Sequence, residues 1–209
     1  MIRSAVSVVR RRRLAAAVAV LSAAACDRPA AVPGDDAPPG PEVIGELIPI
    51  DEQLRQFQAG LARVDTLADA APSRDALVAR FVAAVERRDT TALRTMHLSR
   101  AEYAYLYYPT AAVSQPPQQL DPETAWTLLT LESDKGVRRT VARLGGRPLG
   151  YLGHGCSAPP VVEAENRVWH ACAIRWAGGN GAGRDSLPLF GPIVERGGRY
   201  KFVSYRNKL

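Results

Sequence analysis

The hydrophobic period of this chain changes at Gly145-Gly146, and that switch constrains the fold more than any other feature. Ahead of it, apolar residues recur every three or four positions, the spacing of helices with one buried face. Leu77, Val78, Phe81, Val82 and Val85 share one side of a helix over 74–88, capped by Ser73. Asp89 caps a shorter helix over 90–97. Ser99-Arg100-Ala101-Glu102 has the spacing in which each side chain satisfies the other's free backbone N–H, and opens a helix to about Tyr108, before Pro109. Asp121-Pro122 places a cap ahead of proline at the first helical position. Trp126, Leu129, Val137, Val141 and Leu144 carry that helix to Gly145, with a break expected near Gly136. After the switch, residues 149–156, 167–177, 185–195 and 199–206 read as strands, rich in Val, Ile, Trp, Phe and Tyr between glycine turns. Helices first and strands after predict an α+β domain over 73–209. Its N-terminal helices pack on one face of a C-terminal, four-stranded antiparallel sheet.

Upstream of the domain the chain reads as three further segments. Residues 51–72 hold Leu54, Phe57, Leu61, Val64 and Leu67 at helical spacing after a capping Asp51, which predicts an amphipathic helix over 52–70, closed by Pro72. Its polar face is acidic, which speaks against a membrane-lying helix. Residues 26–50 contain six prolines and interspersed Asp and Gly, a composition with little to bury, and read as a disordered tether. As a coil its last 24 residues span about 27 Å, and as extended polyproline up to about 75 Å. Residues 1–25 read as an export signal: four arginines at 10–13 precede an uncharged, mostly apolar run over 14–25, too short to cross a bilayer.

Removing that signal changes the apparent charge. Five of the 27 basic residues and none of the 21 acidic ones precede Cys26. The mature chain is therefore nearly neutral, with an acidic arm over 27–73 joined to a basic domain. An exported protein rarely meets nucleic acid, so none is expected as a partner. The basic domain faces anionic lipid, a cell-wall polymer, its own arm, or simply solvent.

Leu21-Ser22-Ala23-Ala24-Ala25-Cys26 resembles a bacterial lipoprotein signal, with Ala23 where leucine is usual. The resemblance implies that Cys26 carries acyl chains and that the protein is held at the cell envelope, facing the periplasm or exterior. Ala23 and Ala25 also fit ordinary signal peptidase, which would give a secreted protein instead. A second resemblance lies in the domain. Ala76-Leu77-Val78-Ala79-Arg80-Phe81-Val82-Ala83-Ala84-Val85-Glu86-Arg87-Arg88-Asp89-Thr90-Thr91-Ala92-Leu93 and Gly198-Arg199-Tyr200-Lys201-Phe202-Val203-Ser204-Tyr205 are similar to the opening helices and closing strand of the nuclear-transport-factor-two-like family. That family, which includes ketosteroid isomerases and polyketide cyclases, forms an α+β cone, and the space between its helices and sheet holds small hydrophobic ligands. The long helical stretch 99–145 departs from the family, where a strand usually intervenes.

The sharpest chemical constellation is His154-Gly155-Cys156 with His170-Ala171-Cys172. A hairpin centred near Ala164 sets Cys156 opposite Cys172, and an oxidising compartment favours a disulfide. Two thiols and two histidines also supply plausible ligand types for a metal, though without the familiar short spacings; no metal is expected. Tyr103, Tyr105, Tyr107 and Tyr108 crowd one short helix close to His97, with 103 and 107 on one face and 105 and 108 around the other side. His97, Tyr103, Tyr107, Trp126 and Trp169 are the candidate pocket residues. His97, Glu102 and Tyr103 could be forced into acid–base roles, and none matches a catalytic motif. No dinucleotide or phosphate loop, nucleophile elbow or zinc-protease motif is present, so no cofactor is expected. Arg138, Arg139, Arg143 and Arg147 form a basic cluster, solvated or in contact with an anion. Three functions fit: non-catalytic binding of a small apolar ligand or partner protein, an isomerase- or cyclase-type enzyme, or a structural component using the 52–70 helix as its contact.

Overall fold

The computed structural model describes residues 48–177 and 185–209. The stretch read as an export signal, Cys26, the stretch read as a tether up to residue 47 and the glycine-rich stretch 178–183 lie outside the described residues. Five helices precede seven strands among the described residues: α1 (Ile50–Gln58), α2 (Arg74–Arg87), α3 (Thr90–Thr95), α4 (Arg100–Glu102), α5 (Pro122–Leu144), then β1 (Tyr151–Cys156), β2 (Val161–Glu163), β3 (Asn166–Trp169), β4 (Cys172–Trp176), β5 (Asp185–Leu187), β6 (Ile193–Arg196) and β7 (Arg199–Phe202). The α+β class and its order, helices before strands, are as expected.

The caps read from the sequence are in place. Ser73 Oγ accepts the Ala76 N–H at 3.1 Å, and Asp89 Oδ1 accepts that of Ala92 at 2.9 Å. Ser99 Oγ accepts from Glu102 N–H at 3.2 Å while Glu102 Oε2 accepts from Ser99 N–H at 2.7 Å. Arg88, in the left-handed region at φ 56°, stops α2. Asp121 Oδ1 caps α5 through Thr124 N–H at 2.8 Å.

Four helix expectations need correction. The 52–70 helix ends at Gln58, and Gly60 turns the chain away at φ 76°. Leu61, Val64 and Leu67 still pack inward from irregular backbone, so their spacing served burial and not a helix. The residue before that helix is Pro49, with Asp51 inside the first turn. The 90–97 helix stops at Thr95, because His97 leaves it to bridge Phe202. The helix after Ser99 widens into a π turn over Tyr103–Tyr107 and then a 3-10 turn over Tyr108–Thr110. The wider turn brings Tyr108 inward beside Tyr103 and Tyr107, whereas ordinary helical spacing puts it on another side. α5, finally, runs unbroken through Gly136. A Cβ there would lie 1.7 Å from the Tyr205 carbonyl oxygen, so glycine is required for close approach rather than for a break.

The single four-stranded sheet is also corrected. There are two antiparallel sheets, ordered β1-β4-β5 and β2-β3-β6-β7. The expected 167–177 strand is cut between Trp169 and Cys172, where Ala171 takes φ 48° and carries the chain from one sheet to the other. The expected 185–195 strand is cut by Pro188 and Pro192, which cannot donate to a ladder. The 199–206 strand ends at Phe202.

Helices cover both faces of the four-stranded sheet, not one. Trp169, Ile193 and Phe202 lie in register and face a cluster built on α2. Within it Phe81 packs on Phe190, Phe202 and Tyr205 at centroid distances of 5.3, 5.5 and 5.7 Å. Val168, Val194 and Lys201 lie in the alternate register. The two valines join a second cluster with Phe57, Leu67, Tyr103, Tyr107 and Tyr108. α1 therefore lies on the domain, through Phe57 against Tyr103 at 6.1 Å.

Candidate functional site

His97 and Trp126 come together at a surface recess of about 260 Å³ between α3 and α5. Their ring centroids are 6.1 Å apart, and Leu98, Thr130, Ser133, Val137 and Tyr205 complete most of the wall. Arg94 and Asp134 stand at its edge. His97 is placed by its departure from α3, which fixes its backbone against β7, and Trp126 by the first turns of α5.

The state of His97 follows from its partners. Nδ1 lies 2.7 Å from the Leu98 carbonyl oxygen, which only accepts, so Nδ1 carries the proton. Nε2, at 3.1 Å from Ser133 Oγ, then accepts the hydroxyl proton. Ser133 Oγ in turn accepts the Tyr205 N–H at 3.1 Å. Burial pushes the His97 pKa below the ordinary histidine value, with the Leu98 carbonyl opposing in part and Lys201 adding to the drop. The ring is neutral at neutral pH, and both of its nitrogens are engaged within the fold.

The other candidate residues separate. Tyr103 lies behind Trp126, at 5.1 Å, and Tyr107 behind Tyr103, at 5.9 Å. Both are buried, and burial raises both hydroxyl pKa values well above the ordinary tyrosine value, so they back the recess wall as neutral aromatic packing. Trp169 is elsewhere. It borders a second, polar recess of about 510 Å³ with Arg74, Asp75, His154 and Cys156. The Arg74 guanidinium sits 4.7 Å over the Trp169 ring and donates to Cys156 Sγ at 3.4 Å. His154 Nδ1 is 3.2 Å from Asp75 Oδ1, and burial lowers the His154 pKa more than Asp75 raises it.

Cys156 and Cys172 form a disulfide, paired in the register that the Ala164-centred hairpin predicts. This takes up both sulfurs of the alternative two-cysteine, two-histidine metal set. Among the described residues no other cluster of His, Cys, Asp and Glu could hold a metal ion.

Glu102, one of the three residues that could be forced into acid–base roles, is committed to the fold. It is 1 % exposed, and Lys201, 4 % exposed, donates to its two oxygens at 3.0 and 2.8 Å. Ala68 N–H donates to Oε1 at 2.7 Å. His97, Glu102 and Tyr103 therefore do not converge on one cavity. Sequence reasoning missed Ser133, Val137 and Tyr205 as recess residues. A signal existed on α5, whose buried face carries the small residues Ala125, Ser133, Gly136 and Thr140 at helical spacing, the mark of another chain segment lying close.

Among the described residues no helix is long and apolar enough to cross a membrane. The chain matches no protein-family model, no curated protein and no solved structure.

Proposed function

We propose that this chain is a membrane-anchored lipoprotein of the cell envelope whose domain binds a small apolar molecule, without catalysis, in the recess between α3 and α5. The observation that carries the binding reading is His97: the one histidine in the recess spends both ring nitrogens on Leu98 and Ser133 and stays neutral, beside the Trp126 indole, Leu98 and Val137. A general base needs a nitrogen aimed at substrate; His97 instead offers a satisfied, half-apolar surface. Held by Cys26 and spaced by the proline-rich tether, the recess would sample molecules near the envelope surface. The likeness to the nuclear-transport-factor-two-like cone belongs to this proposal. It is supported by α2 packing on the sheet that β7 closes, while the division into two sheets departs from the family's plan.

Native mass spectrometry of the mature protein tests both halves. An acylated Cys26 and a co-purifying apolar molecule, lost in a Thr130→Trp variant that fills the recess, are the expected results. An unmodified Cys26 overturns the anchor. Failure of the protein to hold any apolar molecule, or retention unchanged in Thr130→Trp, overturns the recess.

A further inference from the structure

The outer side of α5 takes no part in that recess and carries an unusual stripe. Leu128, Leu131, Lys135, Arg138 and Ala142 are all exposed, and their three-four-three-four spacing aligns them along one line about 21 Å long. Leu128 and Leu131 are each 51 % exposed. Residues 135–147 hold Lys135, Arg138, Arg139, Arg143 and Arg147 and no acid. The tail adds exposed Arg206 and Lys208, held beside the helix by Arg139, whose Nη1 donates to Asn207 O at 3.0 Å. Among the described residues, Lys135 pairs with Glu132, while Arg138, Arg139, Arg143, Arg206 and Lys208 have no carboxylate within ion-pair distance.

Either half of this stripe alone would be ordinary surface, since single exposed leucines and solvated arginines are common. Together on the exposed side of α5, with Lys135 and Arg138 on the leucines' line and Arg139 and Arg143 beside it, they select a partner. A soluble polyanion would pair with the arginines and gain little from the leucines. A bilayer containing anionic phospholipid matches both, with phosphates at the guanidinium level and acyl chains just beneath for Leu128 and Leu131. We propose that this face of α5 docks the domain on an anionic phospholipid surface. The inference rests on the reading that the chain is held at a membrane, and it assigns the side of the domain that faces it.

The test uses the full mature chain with Cys26→Ser, so that no acyl chain contributes. It is sedimented with vesicles of phosphatidylcholine alone or of phosphatidylcholine mixed with phosphatidylglycerol. Binding to the mixed vesicles only, weakened by added salt, is expected. R138E/R143E and L128S/L131S should each lower the partition coefficient at least ~10-fold, with unchanged circular dichroism and melting to show that both variants fold. Equal recovery with neutral vesicles, or parent-like partitioning of either variant, overturns the proposal. In particular, loss in the charge variant but not in the leucine variant would point to a soluble anion. Because the assay contains no lipidated Cys26, an unmodified Cys26 in the native protein would remove the anchor and leave this surface standing.

Discussion

The two faces of the four-stranded sheet are covered by different means. On one, α2 presents Leu77, Val78, Phe81, Val82 and Val85 to Ile193 and Phe202, an apolar contact between regular elements. On the other, the cover is assembled from α1, the irregular 61–71 segment and the π turn, and a buried ion pair sits within it. A regular helix meets its own backbone hydrogen bonds and needs only side-chain packing. Irregular chain does not, and here Glu102 supplies the missing acceptors: it takes N–H groups from Ala68 and Ser99 and the ammonium of Lys201. A carboxylate so deeply buried is tolerable because every one of its contacts is a donor. Fold stability on this side depends on polar completeness, and on the α2 side on volume.

Four measurements would break or sharpen that contrast. Phe81→Ala should have the largest effect, about 4 kcal/mol in urea unfolding, since it empties the middle of an apolar cluster. Lys201→Met should cost about 3 kcal/mol by leaving Glu102 buried and unpaired. Adding Glu102→Gln should then recover part of that loss, because it removes the buried charge while its NH2 faces one of the two backbone N–H groups that the carboxylate accepts. A double variant as unstable as the single would show that packing, not charge, governs this face. Replacing both Cys156 and Cys172 by serine should cost about 2 kcal/mol. The damage should be local: faster hydrogen exchange in β1 and β4, with β6 and β7 unchanged. The smallest effect concerns His97, which stands between Tyr205 of one cluster and Trp126 of the other, at 5.8 and 6.1 Å. Its native pKa lies below the ordinary 6.5, so the unfolded chain binds its proton first on acidification. Stability is then fully present above pH 6.5 and falls below it, by at most about 1.4 kcal/mol per pH unit. His154 shifts in the same direction. His97→Asn should therefore reduce the slope of melting temperature against pH below 6.5 without abolishing it.

The same contrast explains what could be read in the sequence. α2, its Ser73 cap and its stop before Asp89 were legible because each depends on neighbours within four residues. So was the Cys156–Cys172 register, which needs only a hairpin centre and equal arm lengths. The second face was not legible. Leu61, Val64 and Leu67 keep helical spacing while the backbone does not, because Gly60 diverts the chain and tertiary burial selects the same positions. Lys201 alternates with Tyr200 and Phe202, a pattern that marks it as outward, yet it is buried, and the partner that explains this lies 99 residues away, where no local rule reaches. The split into two sheets turns on Ala171, a residue with no preference for the left-handed region it occupies. At the recess, His97 and Trp126 were legible as aromatic residues near helix ends. Their separation from Trp169 depends on that same change of sheet.

Gly136 gives α5 two unequal histories of change. On its outer side, solvent sets no limit on side-chain shape, and residues there can drift as far as their partners permit. On the inner side, the Tyr205 carbonyl oxygen occupies the place of a side chain, and the two hydrogens of Asn207 Nδ2 are shared among the Gly136 and Leu189 carbonyl oxygens and Thr140 Oγ1. Any side chain at 136 would lift the tail away and strand those groups together, so one substitution removes several bonds. Among related chains, position 136 should be the stillest point of α5, and the stripe from Leu128 to Ala142 the place where lineages record which surface they have met.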